Sequence, residues 1–273
     1  MLELSPPVFA ILSALIEEKT GLYYGLSERD LLADKLSARA QEAGFSSLLD
    51  YYYFLRYDPA SDTELVALID VLVVGETYFF REYAPLRVLV DDFLEPWCRS
   101  GRRPRVWSAA CATGEEPLTL AMMLAERGLL TLVDIVATDI SQRALDRARA
   151  GTFGARALRA IPEPRLSERY LVPTGQGYTA DPALVARISW RRINLIDASA
   201  TTELGVFDAV LCRNVLIYFR DETIRIVVER LASALKPQGV LLVGVAESLL
   251  RFGTTFFGEE RRGAFVYRKQ SQP

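Results

Sequence analysis

Two patterns of apolar positions divide this chain. From Pro6 to about Gly75, apolar residues recur every three or four positions, which is the period of amphipathic helices. Gly44 is placed to end one of these helices, because glycine readily adopts the left-handed conformation that closes a helix. We therefore predict a small domain of four helices, followed by a linking helix over 82–97.

After Arg105 the pattern changes to short apolar runs that alternate with helical segments, which is typical of a parallel α/β sheet covered on both faces. The predicted strands are 105–109, 133–138, 188–193, 207–212 and 240–245. Helices are predicted over about 115–127, 141–149 and 221–235. Residues 256–259 and 264–267 predict a closing antiparallel pair. Residues 151–187 are rich in glycine and proline and predict an irregular insertion or small subdomain.

The turn after the first predicted strand has the composition of a ligand-binding turn. Residues 106–117 read VWSAACATGEEP, an apolar run followed by small residues around Gly114 and then by Glu115 and Glu116 at a helix start. Asp139 ends the next predicted strand. Small residues let the backbone approach a ligand, and an acid at a strand end can accept hydrogen bonds from ribose hydroxyls. We therefore predict a site for a nucleoside cofactor.

The same turn argues against a dinucleotide. It has one glycine where a pyrophosphate-binding turn has three, and two acids lie where the negative charge of a dinucleotide would come. A nicotinamide dehydrogenase is therefore the disfavoured alternative. A cofactor with a cationic amino group, such as S-adenosylmethionine (SAM), suits the acids better. The two glutamates could also serve only the helix dipole, and the sequence leaves open which of them would bind the amino group.

Composition narrows the chemistry. The chain has no histidine, which excludes Ser-His-Asp and Cys-His nucleophile systems and histidine-ligated metals. Its three cysteines lack metal-site or disulfide spacing, so we predict no metal, and Cys111 and Cys212 are expected to be small buried hydrophobes. Catalysis by this chain must need no imidazole.

Charge and hydropathy narrow the partners. The formal net charge is −3, without a basic run that would bind nucleic acid. Residues 1–75 hold twelve acids against five bases, so the helical region is acidic. A signal-peptide pattern and an apolar run of about 18 residues are both lacking, so we expect a cytoplasmic protein without membrane insertion. The oligomeric state has no sequence signal.

Polar residues follow the third and fourth predicted strands. Ligands of open α/β sheets bind at the carboxyl ends of strands. Asn194 and Leu195 could therefore contact an adenine ring, Asn214 the amino-acid end of the cofactor, and Tyr218 the region of the reacting methyl. Asn194 could instead satisfy its own turn, and Tyr218 could be a core aromatic. Arg81 could point into the cleft or pair with a surface acid.

Six segments occur in the same order as in a known family. They are T-x-F-F-R at 77–81, V-W-S-A-A-C-x-T-G-E-E-P at 106–117, A-T-D-I at 137–140, N-L at 194–195, F-D-x-V-x-C-R-N-V-L-I-Y-F at 207–219 and L-K-P-x-G at 235–239. With these segments the chain resembles the CheR-type chemotaxis receptor glutamate methyltransferases. The runs at 107–117 and 212–219 are long and specific.

The resemblance implies a Rossmann-like class I SAM methyltransferase sheet with closing antiparallel strands. It implies a helical N-terminal domain over 1–82 and a SAM-binding domain over 83–273, with an inserted subdomain at about 160–188. The implied reaction transfers a methyl group from SAM to glutamate carboxylates of a chemoreceptor or similar methyl-accepting protein, leaving S-adenosylhomocysteine. The alternative is a SAM-binding signalling module with little turnover.

The resemblance also implies site residues. The implied catalytic residues are Arg81 and Tyr218. The implied cofactor-binding residues are Gly75, Thr77, Arg81, Glu115, Asp139, Asn194, Leu195, Asn214 and Val215.

The chain departs from the family pattern at three places. Gly75 stands where the family has asparagine. The acidic helical region offers only Lys35 and Arg39, four apart on one predicted helix face, to dock an acidic receptor helix. The insertion at 163–187 lacks the clear strand alternation expected of a subdomain that holds a receptor tail peptide.

Overall fold

The computed structural model describes residues 2–270, and within them the chain divides into two compact units. The first contains the described residues up to Val74 together with Tyr218–Thr223. The second contains Gly75–Ile217 and the described residues from Ile224 onward. None of the helices in these residues is both long and apolar enough to span a membrane.

The first unit is the predicted set of four helices. They are α1 (Pro6–Thr20), α2 (Arg29–Glu42), α3 (Leu48–Tyr57) and α4 (Ser61–Leu72), with a 3₁₀ turn at Leu26–Glu28. The hydroxyl of Ser47 accepts the N–H groups of Leu49 and Asp50 and so caps α3. Gly44 follows α2 with φ of 89°, as expected of a helix stop. Buried leucines and Tyr51 form the core of this unit.

A short segment from late in the chain completes the helical unit. The N–H of Tyr23 donates to the carbonyl of Tyr218 at 2.9 Å, and Leu22 forms an isolated antiparallel bridge with Phe219. The guanidinium of Arg220 lies 4.0 Å from the centre of the Tyr23 ring. The residues after the fourth parallel strand are thus anchored on the loop that follows α1.

The second unit is built on ten strands. They are β1 (Arg105–Ala109), β2 (Asp134–Asp139), β3 (Thr152–Gly154), β4 (Leu171–Thr174), β5 (Gly177–Ala180), β6 (Ile188–Arg192), β7 (Phe207–Cys212), β8 (Leu235–Val243), β9 (Phe256–Arg261) and β10 (Ala264–Lys269). Seven of them form one sheet in the order β6-β2-β1-β7-β8-β10-β9, in which the strands from β6 to β8 are parallel and β10 is antiparallel to both of its neighbours, β8 and β9. Every residue of β7 is buried, so both faces of the sheet are covered. The predicted fold class is confirmed.

Helices connect these strands. The linking segment is α5 (Tyr83–Val88), a π-helical turn (Leu89–Leu94) and α6 (Glu95–Arg99). The others are α7 (Glu115–Glu126), α8 (Gln142–Ala150), α9 (Pro164–Tyr170), α10 (Pro182–Val185), α11 (Ala198–Glu203) and α12 (Asp221–Ala234). Further 3₁₀ turns lie at Leu130–Leu132, Ala155–Leu158, Leu216–Tyr218 and Leu250–Phe252.

The bounds of β8 differ from the prediction. It begins at Leu235, directly after α12, because Leu235 pairs with Phe207 ahead of a register shift that leaves 236–239 out of the ladder. It ends at Val243, because the N–H of Gly244 donates to the carboxylate of Glu247 rather than to a strand.

Of the two alternatives predicted for 151–187, an irregular insertion or a small subdomain, the structure shows the small subdomain, although the sequence of 163–187 has no clear strand alternation. Strands β3, β5 and β4 form an antiparallel sheet of their own. Each is only three or four residues long, too short for apolar alternation to stand out. The prolines 164 and 182 begin short helices, where the missing N–H costs nothing.

Gly177 allows the β3–β5 pairing, which generates a first prediction. A Cβ on Gly177 would lie 1.9 Å from the carbonyl oxygen of Phe153, whereas a Cβ on Gly175 would meet nothing within 4 Å. We expect Gly177→Ala to cost about 1–3 kcal/mol and to speed hydrogen exchange in 152–154 and 177–180. Gly175→Ala is the matched control, and equal exchange in the two variants would contradict the assignment.

Candidate functional site

The turn between β1 and α7 has an unusual backbone. Ala110, Ala112 and Gly114 all have positive φ, of 56°, 48° and 94°. For the two alanines this conformation costs about 1–2 kcal/mol each. A Cβ on Gly114 would lie 2.8 Å from the Cβ of Ala148 and 2.9 Å from the Trp190 ring. Glycine is therefore needed at position 114, and backbone strain like that of the two alanines is concentrated at ligand-binding sites.

Asp139 holds this turn in place. It lies at the end of β2, and one carboxylate oxygen accepts the N–H of Ala112 at 2.8 Å while the other accepts the N–H of Ser141 at 2.9 Å. The backbone of Cys111 also bonds β2, because its N–H donates to the carbonyl of Thr138. The two parts of the predicted cofactor site are thus joined directly.

The two glutamates after Gly114 have different surroundings. Glu116 accepts the hydroxyl of Ser108 at 2.7 Å and a guanidinium N–H of Arg213 at 2.8 Å. Glu115 is buried and accepts only the hydroxyl of Thr113, and it forms no ion pair within residues 2–270. Burial raises the pKa of the Glu115 carboxyl, against the lowering effect of the Thr113 hydrogen bond. Glu116 is therefore paired with a cation of the protein, whereas Glu115 has no such pair among the described residues.

Arg213, which sequence analysis did not single out, is the centre of a buried network. Besides Glu116, its guanidinium donates to the carboxylate of Glu82 at 3.1 Å and to the carbonyls of Arg81 and Glu82 at 2.7 and 3.2 Å. Glu82 has φ of 45° and Phe80 has φ of 62°. The network therefore joins the end of β7, the start of α7 and a strained segment ahead of α5. The available signal was the polar pair Arg213-Asn214, which directly follows the apolar run 209–212 of β7.

A second missed residue, Glu247, shapes the loop after β7. Its carboxylate accepts three backbone N–H groups, from Asn214 at 2.8 Å, Leu216 at 2.7 Å and Gly244 at 2.6 Å. Asn214 has φ of 58°, and its side-chain amide donates to Glu82 at 3.0 Å. The predicted ligand Asn214 thus belongs to the Arg213 network, and the neighbouring Val215 is half-buried.

The segment 75–81 lies beside this network. Phe79 and Phe80 are buried as predicted, and the N–H of Phe80 donates to the hydroxyl of Thr119 on α7. Arg81 forms no ion pair with any residue that the structure describes, so the predicted alternative of a surface ion pair is wrong. Its guanidinium donates to the carbonyl of Glu76 at 2.8 Å. Thr77 is half-buried, and Gly75 is exposed with open space around its Cα.

The loop after β6 is joined to Asp139 through the backbone. The N–H of Ile193 donates to the carbonyl of Asp139 at 3.0 Å, which brings the following two residues next to the turn. The side chain of Asn194 accepts the N–H of Ile196 at 3.2 Å, so it does satisfy its own turn. Leu195 is buried, and its carbonyl accepts a guanidinium N–H of Arg230.

Three further residues named in the sequence analysis are Tyr218, Cys111 and Cys212. Tyr218 belongs to the helical unit, where its carbonyl accepts the N–H of Tyr23. Cys111 and Cys212 are buried as expected, and burial raises the pKa of both thiols well above the ordinary value. Neither cysteine is therefore a nucleophile at neutral pH.

The two bases expected to dock a receptor helix are occupied within the helical unit. Arg39 donates to the carboxylates of Glu64 and Glu42, and Lys35 donates to the carbonyl of Leu72 at 2.7 Å. Both cations thus serve the packing of α2 against neighbouring helices or its own last turn. The docking role that the resemblance implies for this pair has no support in their contacts.

The donor set of the second unit fits SAM. Glu115 is a buried anion suited to an ammonium group, and Asp139 is an oriented acceptor at a strand end, suited to ribose hydroxyls. The strained turn between them brings backbone N–H groups to the same edge of the sheet. A dinucleotide would place phosphate charge against Glu115.

The Arg213 network generates a stability prediction. Arg213→Met leaves the carboxylates of Glu82 and Glu116 without their buried partner, so we expect the free energy of unfolding in urea to fall by about 3–5 kcal/mol. Arg99→Met is the control, because Arg99 is exposed and its pair with Glu95 should contribute less than about 1 kcal/mol. Similar losses in the two variants would contradict the central role of Arg213.

Comparisons with known proteins agree with this geometry. Residues 75–261 match the sequence model described as CheR methyltransferase, SAM binding domain, and residues 7–73 match CheR methyltransferase, all-alpha domain. Chemotaxis protein methyltransferase 2 of Vibrio cholerae is 34% identical over 92% of this chain and 89% of its own length. Chemotaxis protein methyltransferase 1 of Pseudomonas aeruginosa is 34% identical over 88% of this chain and 90% of its own length.

A third relative, the chemotaxis protein methyltransferase of Vibrio parahaemolyticus, is 37% identical over 87% of each chain. These matches confirm the family resemblance and SAM as the cofactor. The chain belongs to the CheR methyltransferase family and is a SAM-dependent methyltransferase.

Proposed function

We propose that this chain transfers the methyl group of SAM to glutamate side chains in the cytoplasmic signalling region of a chemoreceptor or similar methyl-accepting protein. The relatives carry the name chemotaxis protein methyltransferase. The observation that carries the proposal is the contrast between Glu116, which is paired with Arg213, and Glu115, which is buried without an ion pair. This contrast supports a cofactor with a positive charge. The nearby Arg81 is itself a cation and would suit an acceptor that carries a negative charge.

The cofactor would be held by residues from four strand ends and from the segment 75–81. Glu115 would accept the amino group, Asp139 the ribose hydroxyls, and Asn194 and Leu195 would border the adenine. The remaining proposed contacts are Gly75, Thr77, Arg81, Asn214 and Val215. Bound SAM supplies a methyl group attached to a positively charged sulfur.

The acceptor chemistry suits a chain without histidine. A glutamate carboxylate, with an ordinary pKa of about 4.3, is ionised at neutral pH and needs no general base. Catalysis then consists of aligning a carboxylate oxygen with the methyl carbon and sulfur, and such alignment can contribute about 7–11 kcal/mol. In this proposal Arg81 orients the carboxylate and Tyr218 lies near the transferred methyl.

The experiment that tests the proposal uses the chain, methyl-tritiated SAM and a recombinant chemoreceptor signalling fragment from the same genome. Glutamate methyl esters release volatile methanol in mild alkali, whereas methylated amines do not. We expect alkali-labile label on the fragment and a 14 Da gain on glutamate, about one CH₂. Alkali-stable label would contradict glutamate as the acceptor.

The alternative that the sequence left open, a SAM-binding signalling module with little turnover, is not favoured by the comparisons. The relatives are named chemotaxis protein methyltransferases, and the matched family model is that of a methyltransferase.

Glu115 generates a prediction about pH. Because burial raises its pKa, Glu115 becomes protonated at a higher pH than an ordinary glutamate, and SAM affinity should fall as the pH drops through that raised pKa. Glu115→Gln should weaken SAM binding by about ten- to a hundredfold at neutral pH, the effect of one charge-assisted hydrogen bond, and should remove this pH dependence.

Calorimetric titrations of the wild type and the variant, from neutral pH downwards until SAM affinity is lost, measure both effects. Thr113→Val gives a second readout, because it removes the hydrogen bond that lowers the Glu115 pKa. Its loss of affinity should begin at a higher pH than in the wild type. A pH profile of Glu115→Gln that matches the wild type would contradict the role of Glu115.

Tyr218 generates a prediction about catalysis. Tyr218→Phe removes one hydroxyl and keeps the ring, so we expect unchanged SAM affinity and slower methyl transfer, by about ten- to a hundredfold if the hydroxyl contacts the reacting groups. Tyr23→Phe is the control, because the ring of Tyr23 contacts Arg220 without a proposed role. Equal turnover in the two variants would remove Tyr218 from the mechanism.

A further inference from the structure

A second arginine lies beside Arg81. The guanidinium carbon of Arg159 is 3.9 Å from the centre of the Tyr78 ring, and that of Arg81 is 5.8 Å from the same centre. Both arginines also bond one residue, since Arg159 donates to the carboxylate of Glu76 and Arg81 donates to its carbonyl. Two cations thus converge on Glu76 and Tyr78.

The position of Arg159 is fixed by the fold of the insertion. It follows the 3₁₀ turn Ala155–Leu158, and the carbonyl of Ala157 accepts the N–H of Phe79 at 2.9 Å. This bond holds the turn against the segment that carries Tyr78 and Arg81. The charge of Arg159 also reaches the proposed cofactor site, because it partly opposes the rise that burial causes in the pKa of Glu115.

The ion pair between Arg159 and Glu76 is weak enough for another carboxylate to replace that of Glu76. The Arg159 side chain is 38% exposed and the Glu76 side chain 60% exposed, and such surface pairs contribute little to stability. Stacking on Tyr78 instead keeps the guanidinium oriented whatever carboxylate it binds, and its planar set of five N–H donors matches a carboxylate. Glu76 is therefore replaceable by another carboxylate at small cost.

We propose that Arg159 and Arg81 together form a carboxylate-binding subsite for the acceptor glutamate, and that Glu76 occupies Arg159 until the acceptor binds. This inference rests on the proposed function and names the residues that recognise its substrate. The acceptor carboxylate takes the place of the Glu76 carboxylate on Arg159, while Arg81 stays bonded to the Glu76 carbonyl. Glutamine, which is neutral, gains no such charge-assisted contact and is disfavoured.

Two variants with opposite expected effects test the subsite. Arg159→Met removes the cation, so KM for the receptor signalling fragment should rise about tenfold, which is the effect of losing one charge-assisted hydrogen bond. The value of kcat should change less than about threefold. Glu76→Gln removes the competing carboxylate, so KM should fall, by about two- to fivefold for a surface ion pair. Arg156→Met is the matched control, because Arg156 is exposed on the same turn and forms no ion pair within 2–270.

Fluorescence anisotropy of the labelled fragment, in the presence of S-adenosylhomocysteine, gives the same comparison without turnover. Dissociation constants should change in the directions given for KM. An unchanged KM and dissociation constant in Arg159→Met, or a weaker fragment affinity in Glu76→Gln, would overturn the proposal. SAM affinity of both variants is measured by calorimetry at pH 8. A loss of more than about threefold in both would also overturn the proposal, because it would show that the Arg159–Glu76 pair only holds segment 75–81 in place.

The two proposals fail in different ways. If the wild type gives no alkali-labile label on the fragment, the proposed function fails. The subsite fails if the wild type labels the fragment while Arg159→Met and Glu76→Gln behave like Arg156→Met.

Discussion

The site depends on one buried cation. The guanidinium of Arg213 bonds two carboxylates and two carbonyls from parts of the chain that are about a hundred residues away in sequence. Burying an arginine without a partner is expensive, and the two partly buried carboxylates of Glu82 and Glu116 supply the compensating charge. Because Glu116 is used in this pairing, we propose its neighbour Glu115 as the acid that binds the ligand.

Backbone strain is distributed around the same edge of the sheet. Phe80, Glu82, Ala110, Ala112 and Asn214 all have positive φ, and each lies in a segment that Arg213, Asp139 or Glu247 bonds. Left-handed conformations at non-glycine residues persist only when their surroundings fix them. The buried polar groups thus hold three loops in the conformations that a compact cofactor requires, while the sheet supplies a rigid base.

The sequence predicts the large sheet well, because its strands are buried apolar runs separated by helices of ordinary length. It does not predict the inserted β3-β5-β4 sheet, since strands of three or four residues are too short to show a period. The small turn at 110–114 and Asp139 are evident from composition and position. The pairing of Arg213 with Glu82, 131 residues away, is not, because long-range contacts between charges leave no local pattern.

The residues of the site also divide into features that the sequence predicts and contacts that only the structure shows. Choosing between Glu115 and Glu116 requires knowing that Arg213 bonds Glu116. Asn214 is predicted from its position to contact the cofactor, and only the structure shows that its amide also donates to Glu82. Tyr218 lies next to the site in sequence but packs with the helical unit, where its backbone bonds Tyr23. Sequence position thus identifies the loops, and only the contacts show which side chains remain available to a ligand.

The most direct measurement is a crystal structure of the chain with bound S-adenosylhomocysteine. The account predicts that the amino group of this product lies within hydrogen-bond distance of the Glu115 carboxylate, with the ribose hydroxyls on Asp139 and Glu116 still bonded to Arg213. A ligand amino group bonded elsewhere, with Glu115 pointing away from it, would contradict the account.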